Sequence, residues 1–256
     1  MVLNERGMIT YGSRNLADFG VYISGNGTFN APERDVKTVA IPGRNGDLTL
    51  DNGRFKNIKI KYPAFIVEDF FMNTEALRNF LATFRGYARL EDSYHPYEYR
   101  MARISGAFTV KPEDKLRAGK FDLTFDCMPQ RWLKSGEQVL TGFYARESTG
   151  SVVHIQNPGY MVAKPLIKVT LTDASTAQIT INDVEIDVSN MEGAMYIDCE
   201  IQEAYSVLDQ SSMNEYLTLA DGVFPSLKPG DNIVGLYCPA YEGRIDVEIT
   251  PRWWIL

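Results

Sequence analysis

The chain has 256 residues, 45% of them apolar and 23% charged, with a net charge of −7. This is the make-up of an ordinary soluble globular protein, with length for one large domain or two of usual size. No run of 18 apolar residues occurs, which argues against a membrane-spanning helix, and the N-terminus lacks the basic-then-apolar pattern of a signal peptide. Charge is uneven. Up to Leu140 there are 20 basic and 17 acidic residues, net +3; after it there are 6 and 16, net −10. That asymmetry predicts two domains with different surfaces, and the acidic second part argues against nucleic-acid binding there.

In chain order, Ile9-Thr10-Tyr11 and Phe19 to Ser24 read as strands, the second closed by Gly25-Asn26-Gly27. Pro32 then begins a loop. From Lys37 to Ile60 the chain reads KTVAIPGRNGDLTLDNGRFKNIKI, with Asn45-Gly46 and Asn52-Gly53 set between apolar segments. Asn-Gly accepts positive φ at both positions, so two such pairs predict a tight three-stranded antiparallel unit. From Asn57 to Tyr62 the pattern alternates, with Ile58, Ile60 and Tyr62 on one face and Asn57, Lys59 and Lys61 on the other. The lysine row of Lys56, Lys59 and Lys61 suits a solvated face, edge protection or a subunit contact.

A helix is predicted over Thr74 to Arg85. Leu77, Phe80, Leu81 and Phe84 form one apolar face, Asn73 or Thr74 suits the cap, and Gly86 suits the C-terminal stop. Strands follow at Tyr87 to Leu90 and Tyr97 to Val110, bent at Gly106, with a turn at Glu91 to Pro96. Lys111 to Gly119 reads as an exposed charged loop. Gly119 to Cys127 alternates again and ends the first domain. One helix among strands predicts an α+β sandwich. The glycine- and serine-rich stretch 135–151 reads as a linker.

The remainder, 152–256, reads as roughly seven short strands, among them Leu166 to Leu171, Met195 to Ile201, Asn232 to Tyr237 and Arg244 to Pro251. Asn182-Asp183 is a two-residue hairpin turn. This pattern predicts a β-sandwich. The fold class is therefore mainly β, with an N-terminal α+β domain over 1–134 and a β-sandwich after the linker.

An ordered set of segments resembles the phage distal tail proteins (Dit; the siphophage tail-component family). The segments are Ile41-Pro42-Gly43-Arg44-Asn45-Gly46-Asp47-Leu48, Asp51-Asn52-Gly53-Arg54-Phe55, and Phe125-Asp126-Cys127-Met128-Pro129-Gln130-Arg131-Trp132. Further on come Asn157-Pro158-Gly159, Asp198-Cys199-Glu200, Pro229-Gly230-Asp231-Asn232 and Pro251-Arg252-Trp253-Trp254. The resemblance implies that the second domain is galectin-like and that the first assembles into a homohexameric ring, or two stacked rings. The implied partners are the major tail tube protein, a tail-associated fibre or lysin protein, and receptor-binding or baseplate proteins. DNA would pass through the pore without specific binding, and the place would be the virion tail tip, assembled in the host bacterial cytoplasm. Arg44, Asn45 and Asp47 at the turn, with the three lysines, are the expected ring contacts.

Chemistry has little footing in the sequence. Cys127, Cys199 and Cys238 are odd in number and far apart, which fits buried thiols rather than disulfides or a CxxC site. His95 and His154 lack ligand spacing, no phosphate loop or nucleophile elbow is present, and no cofactor is expected. The carboxylate pairs Glu91-Asp92 and Glu113-Asp114 read as solvated loops. The alternative function is a carbohydrate-binding accessory module, using Tyr237, Tyr241, Arg244 and Trp254 as partner or glycan contacts. Against it, Trp253 and Trp254 also suit a core plug and its cover.

Overall fold

The computed structural model describes residues 6–24, 29–113, 115, 117–145, 151–238 and 243–256. Two compact units divide the chain, residues 1–131 with Leu256, and residues 132–255.

The first unit is built on the alternating strand Ile58–Val67 and its antiparallel partner Ala118–Cys127. Ile60, Tyr62 and Ala64 lie opposite Phe125, Leu123 and Phe121 in register, and all six are buried. The polar alternates, Lys59, Lys61 and Asp122 among them, face outward. The sheet runs Arg14–Asn15, Ile9–Tyr11, Ala88–Asp92, Glu98–Ile104, Ala118–Cys127, Ile58–Val67, Val21–Ile23. It curls until its ends meet, where the Ile23 amide donates to the Gly7 carbonyl at 2.8 Å. Strand twist accumulates in one hand, which is what brings distant strands round to each other. The segment expected as a charged loop instead holds a short strand, Lys111–Glu113, paired to Ala118–Lys120.

The helix spans Phe70–Ala82, one turn earlier than its periodicity suggested. Glu68 and Asp69 adopt φ of 62° and 35°, which turns the chain off its strand and lets the helix begin at once. Two non-glycine residues there cost on the order of 1–3 kcal/mol each. Asn73, expected as the cap, lies within the first turn and donates its amide to the Glu68 carbonyl at 3.0 Å. The inward face is as predicted. Leu77 and Leu81 are buried, and Phe84 meets Tyr11 at 4.5 Å between ring centroids.

The expected three-stranded unit is a two-stranded hairpin arm, Arg34–Val39 with Leu48–Phe55, in a sheet of its own. Asn45-Gly46 lies in a loop over 40–47 rather than forming a two-residue turn. Asn52-Gly53 makes no turn at all. Arg34 pairs with Phe55 and Val36 with Asp51, so residues 52–54 bulge opposite Asp35. The Asp51 carboxylate accepts from the Gly53 amide at 2.8 Å and Gly53 takes φ +73°, which holds the bulge while the strand continues. The third expected strand belongs to the main sheet.

The second unit is a sandwich of two five-stranded antiparallel sheets. One runs Leu140–Ala145, Arg244–Thr250, Leu166–Thr172, Gly193–Asp198, Glu203–Ser206; the other Ser151–Asn157, Gly230–Tyr237, Thr176–Ile181, Val184–Ser189, Leu217–Leu219. The turn at Asn182-Asp183 is as predicted, with Ile181 paired to Val184. The core holds Ile167, Val169, Ile179, Ile181, Ile197, Val247 and Trp253. Residues read as linker supply structure: a turn at Lys134–Glu137 and the edge strand Leu140–Ala145. Gly136 is the reason the turn packs. A Cβ there would sit 2.3 Å from the Trp253 amide nitrogen, and its carbonyl accepts from the Arg252 amide at 2.9 Å.

Candidate assembly interface

The arm carries the residues that the sequence singled out first. Arg44, Asn45 and Asp47 lie exposed in its tip loop, where the Arg44 amide donates to the Ile41 carbonyl at 3.2 Å. Along the arm, Val39 lies opposite Leu48 and Lys37 opposite Leu50. Directly paired residues share a face, and so do residues two apart, so these four form one side of the ribbon. Val39, Leu48 and Leu50 are 38%, 39% and 47% exposed. Cross-strand charge pairs hold the base: Arg34 with Asp51 at 3.0 Å, Arg54 with Asp35 at 2.7 Å, and Lys56 with Glu33 at 3.5 Å.

The three lysines separate. Lys56 belongs to the root of the arm. Lys59 and Lys61 stand on the outer face of the main sheet, Lys61 paired to Asp122 at 2.8 Å. Beside them Arg103 pairs with Asp126 at 2.8 Å. Exposed pairs of this kind each contribute about 0–1 kcal/mol and leave the face free to exchange partners.

Of the residues considered for glycan or partner contact, Arg244 and Tyr237 rest on the neighbouring residues Phe143 and Tyr144, and Trp254 lies apart from them. Arg244 is held by Asp246 in a forked pair, with bonds down to 2.6 Å, and lies over the Phe143 ring. Tyr237 packs edge-on against buried Tyr144. Trp254 lies past the far end of strand Arg244–Thr250, about 20 Å away along the strand, and donates its indole N–H to the Val162 carbonyl at 2.9 Å. Tyr241 lies outside the described residues.

Sequence reading missed a pair that the fold brings together from two of the quoted segments. Arg252 forks onto Asp198 at 2.7 and 2.9 Å. Asp198 also accepts from the Glu200 amide at 2.9 Å. The strand expected to run on to Ile201 ends at Asp198, which is buried. Sequence reading also missed Arg100, buried on the inward face beside Tyr62 and Cys127, whose guanidinium nitrogens Nη1 and Nη2 have no hydrogen-bond partner among the described residues. Burial lowers its pKa. Arg100 shares parity with buried Ala102, the one cue the sequence offered.

Several of the groups weighed for chemistry serve the structure. Burial pushes the Cys127 and Cys199 thiols up to about 12, far from nucleophilic thiolates. Asp92 is no solvated loop acid: its carboxylate organises the turn by accepting from the Tyr94 and His95 amides, both at 3.0 Å, and from the Tyr62 hydroxyl at 2.8 Å. Glu113 pairs with Lys120, while Asp114 lies outside the described residues. Among the described residues no cluster of three His, Cys, Asp or Glu could hold a metal ion, and no helix is long and apolar enough to cross a membrane.

A curled antiparallel sheet with one helix and a projecting arm, followed in the chain by a two-sheet sandwich, is the fold of a phage distal tail protein. The Dit protein of phage SPP1, described as a paradigm of the hub adsorption apparatus in phages infecting Gram-positive bacteria, has it in full. It matches 98% of this chain and 100% of its own at a TM-score of 0.72 and 16% identity. Chains of the phage p2 baseplate in its activated conformation, with calcium or strontium, match 95% of this chain and 97% of theirs. Their TM-scores are 0.55 and 0.53, at 8% identity. No protein-family model and no curated protein matches the sequence.

Proposed function

We propose that this chain is a structural virion protein, the hub of the distal tail tip of a long-tailed phage or prophage. Six copies of the first unit close into a ring, single or stacked on a second, through which DNA passes without specific binding. One side of the ring meets the tail tube protein and the other the fibre or lysin protein. The second unit carries receptor-binding or baseplate proteins. The observation that carries the reading is likeness over the whole length of a solved hub protein, across both units in the same order. A closed ring requires a head-to-tail interface, made by two different surfaces of one chain.

Light scattering of the purified chain over a concentration series tests the reading. A mass of six or twelve subunits is expected, and Arg44→Glu should move it toward monomer. A wild-type monomer at every concentration would remove self-closure of the ring.

A further inference from the structure

We propose that the apolar side of the arm seats in a groove on the next copy of this chain, each copy giving its arm to one neighbour and its groove to the other. This rests on the ring reading and specifies the contact that closes it.

The groove runs beside the start of the helix. It has a volume of about 370 Å³ and is lined by Phe70, Phe71, Thr74, Arg78, Phe108 and Val110. Phe71 in the groove and Met72 next to it in the chain are 67% and 75% exposed, large apolar side chains that a free domain gains nothing by presenting. The arm presents the matching defect: Val39, Leu48 and Leu50 on one side of a ribbon that belongs to no other sheet.

Position supports the match. The root of the arm adjoins Ile58 and the groove adjoins Val67, the two ends of one ten-residue strand. They are therefore about 30 Å apart along the sheet. A donor at one end and an acceptor at the other is the arrangement that propagates head to tail and can close into a ring. Charge supports it too. Among the described residues, Lys37 on the apolar side of the arm has no ion pair, and neither have Glu68 and Asp69 at the helix start beside the groove. The arm's cations at Arg34, Arg54 and Lys56 are already matched within it. The tip residues Arg44 and Asp47 offset each other. Lys37 of one copy against Glu68 and Asp69 of the next gives the seated arm its register.

The test mixes two full-length single-cysteine variants, Leu48→Cys and Phe71→Cys, carrying tags of different length. Both sites are exposed, so folding should survive, and the native Cys127, Cys199 and Cys238 are buried. Under mild oxidation the mixed dimer should exceed either homodimer. Lys37→Glu in the first variant should cut its yield roughly tenfold, and Glu68→Lys in the second should restore it. Light scattering is read on the same samples. A ring mass without the mixed dimer would overturn the arm-in-groove contact and leave the ring. A monomer without it would overturn both. A mixed dimer that ignores both charge reversals would overturn the register.

Discussion

Asp198 and Arg252 show what one residue pair contributes and why it was hard to read. Burial alone would raise the Asp198 pKa. The forked hydrogen bond and charge of Arg252, with the amides of Glu200 and Ile201, outweigh burial and hold it below the ordinary carboxylate value. The unfolded chain then takes up a proton at higher pH than the folded one. The pair's stabilisation is present above the unfolded carboxylate pKa and is lost as pH falls through the folded value. Arg252→Ala should destabilise the second unit by about 2–4 kcal/mol at neutral pH, since it leaves a buried carboxylate without its partner. The difference from wild type should shrink in acid, which denaturant melts at several pH values would measure. Both residues stood in segments singled out by the sequence, but their meeting did not show. Alternation describes a continuing strand, and Asp198 is where this strand stops.

At the scale of elements, the same local chemistry served two shapes. Both Asn-Gly pairs supply positive φ, which suits a hairpin turn and equally a glycine bulge. What decided the second was Asp51, whose carboxylate captures the Gly53 amide and keeps the strand running. The helix was legible through Leu77 and Leu81, because a buried stripe has a period. Its first turn was not, because Phe70-Phe71-Met72 carries no cap chemistry and the start is set by the backbone of Glu68 and Asp69. The two elements should therefore respond differently to change. Leu77→Ala removes a fully buried side chain and should cost about 2–5 kcal/mol. Replacing residues 37–50 by a short glycine link should leave the melt of the first unit within about 0.5 kcal/mol of wild type, since exposed positions outside a core carry little stability. Calorimetry of both variants checks the contrast, and light scattering should show that the shortened arm abolishes assembly.

For the whole molecule, the mainly β class, the single helix and the quoted motif order were readable. The curl of the first sheet was not, since Gly7 and Ile23 meet through accumulated twist rather than any local pattern. The stretch over 135–145 was misread for a similar reason. Gly136 looks like flexible connection until Trp253, from the far end of the chain, is placed against it. The two hydrophobic cores share no residue. A chain ended at Thr250 should thus keep the first unit resistant to limited proteolysis and lose the second. The same geometry orders events during synthesis. The seven strands along the first unit's curled sheet, from Ile9–Tyr11 to Ala118–Cys127, all lie before residue 128, so that unit can fold while the ribosome is still translating the rest. The sandwich cannot close so early, because Arg252 and Trp253 come last among its core and pairing residues, and until they have left the exit tunnel the nascent second unit lacks its largest apolar plug.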